Sequence, residues 1–214
     1  MTALALGLAT LFAALPVRAH PHAWIDLRGA LLFNEAGQAT GLRVNWLFDE
    51  FYTIFALDGL ETDGEGRPTP QALRSLAELN VTSLADYDYF TKLTLDGQPA
   101  ETLPVTEYES FVWEDRLVLV FTLPLAEPLE LGDSRLTYSV YDPTYYIEIL
   151  HVEEDPVVFE GAAPASCGHE LIKPTPDLET VSLAASLDQT ESVGDWLGNY
   201  FAERVVITCP PGAE

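Results

Sequence analysis

His20-Pro21-His22-Ala23-Trp24-Ile25-Asp26-Leu27-Arg28-Gly29-Ala30-Leu31-Leu32-Phe33 is the stretch whose periodicity decides the fold. Ala23, Ile25, Leu27, Leu31 and Phe33 alternate onto one side, while His22, Trp24, Asp26 and Arg28 take the other. A period of two is the signature of a strand with one face buried. Asn34-Glu35-Ala36-Gly37 then reads as a turn, with Gly37 free to take a positive φ. The returning segment sets Leu42, Val44, Trp46 and Phe48 on one face against Arg43, Asn45 and Leu47 on the other. For both apolar sets to share a face, only alternate registers are allowed, because a slip by one residue turns every side chain over. A loop of Asn34 to Gly37 pairs Phe33 with Gln38. It then sets Arg28 opposite Arg43, Asp26 opposite Asn45, Trp24 opposite Leu47 and His22 opposite Asp49.

Upstream of this hairpin, Ala3 to Leu15 is almost wholly apolar, and Val17 and Ala19 are small residues suited to a signal-peptidase site. No Lys or Arg precedes the apolar run. The run is shorter than the roughly 20 residues a transmembrane helix needs. The expectation is a cleaved signal over residues 1–19 and a single β-rich periplasmic domain over 20–214, with no membrane insertion after cleavage. Cleavage leaves nine Lys and Arg against 34 Asp and Glu. That surface repels nucleic acid and anionic lipid. It suits a cation, and it equally suits plain solubility in a salty exterior. The two cysteines, Cys167 and Cys209, are expected to form one disulfide in an oxidising compartment. It would close a loop of about 40 residues and add on the order of 3–4 kcal/mol.

Beyond the hairpin, a helical insertion is expected over about 49–86. It comprises a short buried helix through Leu57, an acidic Gly-rich loop from Leu57 to Pro70, and a helix from Pro70 to Leu79 capped by Thr69. The loop lacks the ligand spacing of an EF-hand. Strands follow at Tyr89–Leu95, Val105–Trp113, Leu117–Leu125, Arg135–Tyr141 and Tyr145–Val152. The Pro- and Gly-containing stretch from Gly161 to Pro176 reads as a loop. A last helix carries Val193, Trp196, Leu197, Tyr200 and Phe201 at helical spacing, before a strand from Val205 to Cys209. The predicted class is mainly β (α+β): an antiparallel β-sandwich-like domain with a few packed helices.

His20 and His22 alternate to one strand face, so both imidazoles can reach one ion. A divalent site wants at least three protein ligands, and Asp49, Asp26, Asp142 and His151 are the candidates to complete it. Imidazole with carboxylate suits zinc, nickel or cobalt, with copper less favoured. A free amine on His20 would chelate copper together with its own ring, whereas Pro21 removes the amide that the other terminal copper motif deprotonates. The same run also reads as a strand whose outward face simply begins with histidines. Tyr141-Asp142-Pro143-Thr144-Tyr145-Tyr146 combines a turn-initiating Asp-Pro with amphipathic tyrosines that line a pocket or roof the core. Trp24, Tyr145 and Tyr146 are the pocket or interface candidates. His151, alternating with Ile147 and Ile149, reads either as a ligand or as a core-edge histidine, and His169 lies in the cysteine-bearing loop. No nucleophile elbow, helical His-Glu-x-x-His or Cys/His pair is present, and an enzyme is not expected.

The ordered set of His20-Pro21-His22-Ala23-Trp24-Ile25-Asp26, Trp46-Leu47-Phe48-Asp49, Tyr87-Asp88-Tyr89-Phe90-Thr91, Tyr141 to Tyr146, Phe201-Ala202 and Val205 to Cys209 resembles domain-of-unknown-function family 1007. The resemblance spans nearly the whole mature chain. That family is catalogued as a periplasmic component of an uncharacterised ABC-type transport system, and its members are often encoded beside nickel/cobalt-type transporters. The resemblance implies a periplasmic accessory whose partner is a membrane metal transporter, with His20, His22, Trp24, Asp26, Asp49 and Asp142 as positions of interest. Family members often carry a more calcium-like loop than Leu57 to Pro70. The competing reading is a non-metal interaction module that docks on a membrane transporter. The oligomeric state is left open.

Overall fold

The computed structural model describes residues 21–187 and 196–210. The expected signal segment, His20 and Val193 lie outside the described residues. The opening hairpin forms as its periodicity requires, from β1 (Ala23–Phe33) and β2 (Ala39–Phe48), antiparallel. After it come α1 (Glu50–Leu57), α2 (Pro70–Ala85) and a one-turn 3-10 helix at Asp88–Phe90. The middle of the chain supplies β3 (Thr91–Leu95), β4 (Gln98–Pro99), β5 (Glu107–Trp113), β6 (Arg116–Leu129), β7 (Arg135–Val140), β8 (Ile147–His151) and β9 (Val157–Gly161). Then follow β10 (Gly168–Ile172), α3 (Leu178–Ser186), α4 (Gly198–Phe201) and β11 (Arg204–Thr208).

These strands make two sheets. One has the order β5-β6-β2-β1-β8, with β9 also paired to β1; the other runs β10-β11-β7-β3-β4. Ile25, Leu27, Leu31, Leu42, Val44, Trp46, Leu117, Leu119 and Phe121 from the first sheet meet Leu93, Leu136, Tyr138, Val205 and Ile207 from the second in one buried cluster. Each of these residues sits at an alternate position of its strand, which is why a period of two specifies a sandwich. Trp46 centres the cluster, edge-on to Phe121 at 5.3 Å between ring centroids. The result is the mainly β sandwich with packed helices that the pattern predicts.

Four expectations are corrected. The hairpin register differs by two residues: Ile25 faces Phe48, Asp26 faces Leu47 and Arg28 faces Asn45, with an irregularity between Leu32 and Phe33. The shift preserves which face is buried, as it must, but it separates Arg28 from Arg43 and puts Trp24, not His22, against Asp49. The sheets are also not wholly antiparallel. β8 runs parallel to Ala23–Leu27 and β9 parallel to Gly29–Phe33, so together they form one interrupted edge strand along β1. The chain reaches β8 from β7 in the other sheet, so no tight hairpin dictates its direction. The stretch expected to be a loop contains β10, which pairs with β11 beside the disulfide. Finally, α1 is a helix but not a buried one: Tyr52, Ala56 and Leu57 pack on the core, while Phe51, Ile54 and Phe55 are 83%, 70% and 79% exposed.

Thr69 caps α2 by accepting the Ala72 N–H, as expected, but the helix runs on to Ala85 and buries Ala77 and Val81. In the acidic loop, Asp63 accepts the backbone N–H groups of Glu65 and Arg67 and is gripped by the Arg67 guanidinium at 3.0 Å. Those bonds hold its carboxyl below the usual carboxylate range. Cys167 and Cys209 are disulfide-bonded, 42 residues apart, tying the end of β11 to the start of β10. No helix among the described residues is long and apolar enough to cross a membrane.

Candidate functional site at the head of β1

Each candidate ligand can be followed to the atoms that hold it. His22 lies one residue before β1, and its N–H donates to the Tyr146 carbonyl at 2.8 Å, so pairing with the β8 side continues past the strand end. Its ring sits 4.8 Å from the Tyr146 ring. Ala23 and Ile25 point inward and are buried, which turns His22, Trp24 and Asp26 to the outer face. Trp24 is 45% exposed and faces Glu148 across the parallel ladder.

The carboxylates named from sequence are occupied by the fold. Asp49 caps α1: Oδ1 accepts the Tyr52 N–H, and Oδ2 accepts the Trp24 N–H, each at 2.9 Å. Asp49 therefore joins strand to helix; burial, and then the Asp49 charge, push the Tyr52 phenol upward. Asp26 is ion-paired with Arg116 at 2.8 Å, while that guanidinium also donates to the carbonyls of Phe48 and Leu47. Asp142 is buried and builds the turn that follows it. Its Oδ1 accepts from Thr144 N and Oγ1, and its Oδ2 from Ile147 N. Gly198 packs on this turn so closely that any side chain there would overlap the Asp142 carbonyl.

His151 is the core-edge histidine of the two readings. It lies between the sheets with a buried side chain. One ring nitrogen is 2.9 Å from Glu203 Oε2 and the other 3.1 Å from the Tyr138 hydroxyl. The His151 backbone N–H donates to the same Glu203 oxygen. Burial raises the Glu203 carboxyl, but the bonds from the His151 ring and backbone outweigh it, and the net shift is downward. Burial, and then the Glu203 charge, push the Tyr138 phenol up. Gly29 makes room for this network, since a methyl group on it would overlap the Tyr138 hydroxyl. His169 is exposed on β10, near Phe159. Among the described residues, no group of three or more His, Cys, Asp or Glu side chains is disposed to hold a metal ion.

Sequence reasoning passed over Arg116, Tyr138, Glu148 and Glu203. Glu203 carried a faint signal, being an acid directly before an apolar strand. Arg116 directly follows the acidic pair Glu114-Asp115. Tyr145 and Tyr146, a pair in sequence, point to different environments. Tyr145 takes φ +62, is buried against Phe201 with ring centroids 3.8 Å apart, and donates its hydroxyl to Glu148 Oε1 at 2.8 Å. Tyr146 is 42% exposed beside His22.

Fold and site together define an acidic, disulfide-stapled β-sandwich whose histidine-bearing strand opens on the outer face. The chain belongs to the family described as "Protein of unknown function (DUF1007)", whose model matches residues 5–209. An uncharacterised protein of Haemophilus influenzae is 29% identical over 208 residues, covering 93% of this chain and 95% of its own length.

Proposed function

We propose that the protein is a periplasmic accessory of transition-metal transport. It binds zinc, nickel or cobalt through its His20-Pro21-His22 end and exchanges the ion with a membrane transporter. The observation that carries the reading is the outward placement of His22 at the head of β1, on an acidic chain, while His151 is turned inward. Imidazole donors suit borderline divalent ions. A disulfide fits an oxidising compartment, which supports export. Calorimetric titration of the exported, processed protein with zinc, nickel and cobalt tests this. Saturable 1:1 binding lost in His20→Ala/His22→Ala is expected, and unchanged affinity in that variant would remove the site.

A second reading has its own observation. Phe51, Ile54 and Phe55 form an exposed apolar face on α1, next to the acidic Glu50 and Asp58. This supports a module that docks on the outward face of a membrane transporter, through an apolar recess rimmed by basic groups, with or without metal. A photo-crosslinker at Ile54 should then capture a membrane protein, and Phe51→Ser/Phe55→Ser should abolish capture while leaving metal uptake intact.

A further inference from the structure

We infer that the cavity between the end of β2, α1, α2 and the Asp88–Phe90 turn binds a small neutral molecule with one flat apolar ring and a carbonyl-type oxygen. The inference is independent of the metal-binding reading. The cavity measures about 200 Å³ and is lined by Trp46, Phe48, Tyr52, Tyr87 and Phe90 together with Asn80. Among the described residues, no charged side chain lines it.

Size, wall and charge set the body of the ligand. Apolar cavities of about 150 Å³ take up benzene, so this one suits a single ring with a short substituent. Aromatic walls favour a flat partner, met offset or edge-on. Those walls are ordered in advance: Phe48 stacks on Tyr52 at 4.5 Å between ring centroids, and Trp46 on Phe90 at 6.2 Å. A wall without charges makes burial of an ion costly. The formal net charge of -24 repels anions over a longer range.

Two buried donors set its polar end. Trp46 is 2% exposed, yet its Nε1–H has no acceptor among the described residues. The Nδ2 group of Asn80 is likewise buried without one. A buried donor without a partner is costly, so an oxygen that accepts from it is favoured. Both residues line the same small cavity, and one ligand oxygen at their wall would serve the pair.

Backbone strain is the third observation. Asp88, Tyr89 and Phe90 have φ of +51, +52 and +53, a left-handed turn made without glycine. Such turns are unfavourable for L-residues and persist only where the surroundings enforce them. Here the Phe90 carbonyl accepts the Tyr141 N–H, and the Tyr89 hydroxyl accepts the Val105 N–H. The turn so held sets Phe90 against Trp46 and Tyr87 5.8 Å from Phe90, which shapes one wall of the cavity. The segments Trp46-Leu47-Phe48-Asp49 and Tyr87-Asp88-Tyr89-Phe90 thereby share one task.

Acetophenone and ethylbenzene are matched probes, alike in ring and size and differing in the carbonyl. Each is titrated into the isotope-labelled exported protein while the Trp46 indole N–H resonance is followed by NMR. That resonance is assigned by elimination, using Trp24→Phe, Trp113→Phe and Trp196→Phe, since all three side chains are exposed. Acetophenone should bind saturably, move the Trp46 resonance, and bind roughly 2- to 10-fold more tightly than ethylbenzene. Asn80→Leu should reduce that preference while ethylbenzene still binds. Leu84→Trp, which fills the cavity, should abolish binding of both probes. Thermal unfolding is the folding control for the two variants. Acetophenone binding that does not saturate, ethylbenzene binding as tight or tighter, or a Trp46 resonance unmoved at saturation would each overturn the assignment. All three are read from the wild-type protein alone.

Discussion

The head of β1 and the space between the sheets hold the same three residue types in opposite circumstances. At the edge, His22, Tyr146 and Glu148 lie on an outer face, and Glu148 is held through one oxygen. Inside, His151, Tyr138 and Glu203 are buried and bonded to one another through both ring nitrogens and a shared carboxylate oxygen. A histidine with both nitrogens committed in a dry interior stabilises a fold. Residue type names the chemistry available, and burial decides which part of it is used.

The largest effect should come from breaking the interior set. Glu203→Ala leaves the His151 backbone N–H and ring nitrogen, both buried, without their acceptor, at about 1–3 kcal/mol each, measured by urea unfolding. The same carboxyl predicts a pH dependence. Its folded-state pKa lies below the ordinary glutamate value. Its contribution is therefore complete above the unfolded pKa, near about 4.3, and is lost as pH falls through the lower folded value. Acid unfolding curves of wild type and Glu203→Gln should converge at the acid end of that window.

Gly29→Ala comes next. The added methyl displaces the Tyr138 hydroxyl from His151 and should cost about 1–3 kcal/mol, with a tyrosine near-ultraviolet signal altered in the folded state. At the edge the costs shrink. Asp49→Ala removes the α1 cap and should cost about 1 kcal/mol by thermal unfolding. Glu148→Gln should change stability by no more than about 0.5 kcal/mol. A stability loss in Glu148→Gln as large as that in Glu203→Ala would erase the distinction between the two regions.

Parts of this arrangement are legible in the chain. Alternation from Ala23 to Phe48 specifies the buried face, and two cysteines in an export-like sequence specify their own pairing. Thr69-Pro70 marks the start of α2 because a cap and a proline at the first turn are local signals. Other parts are not. The register slips by two because residues two apart share a face, so hydrophobic pattern cannot tell the two pairings apart. That slip sends Asp49 to Trp24 and makes a helix cap of a residue that reads as a ligand. β10 was hidden because Gly168 to Ile172 is exposed over most of its length and gains its strand state from pairing with β11 beside the disulfide. The apolar residues of α1 suggest burial, yet only one side of the helix meets the sheet. Thr53 accepts the Leu117 N–H there, leaving Phe51, Ile54 and Phe55 outside.

By itself, then, the sequence determined the class of fold, the inward face of the first hairpin, the disulfide partners and the turn at Asp142-Pro143, because each follows from local periodicity or from a small choice of partners. Which side chains meet across the sandwich was decided only by tertiary structure. His151 joins Glu203 over 52 residues, and Glu148 joins the His22 face through a parallel pairing that no hairpin announces. The physical reason is that non-local pairing is settled by the packing of the whole core, where many contacts choose one register together, while any single strand is compatible with several.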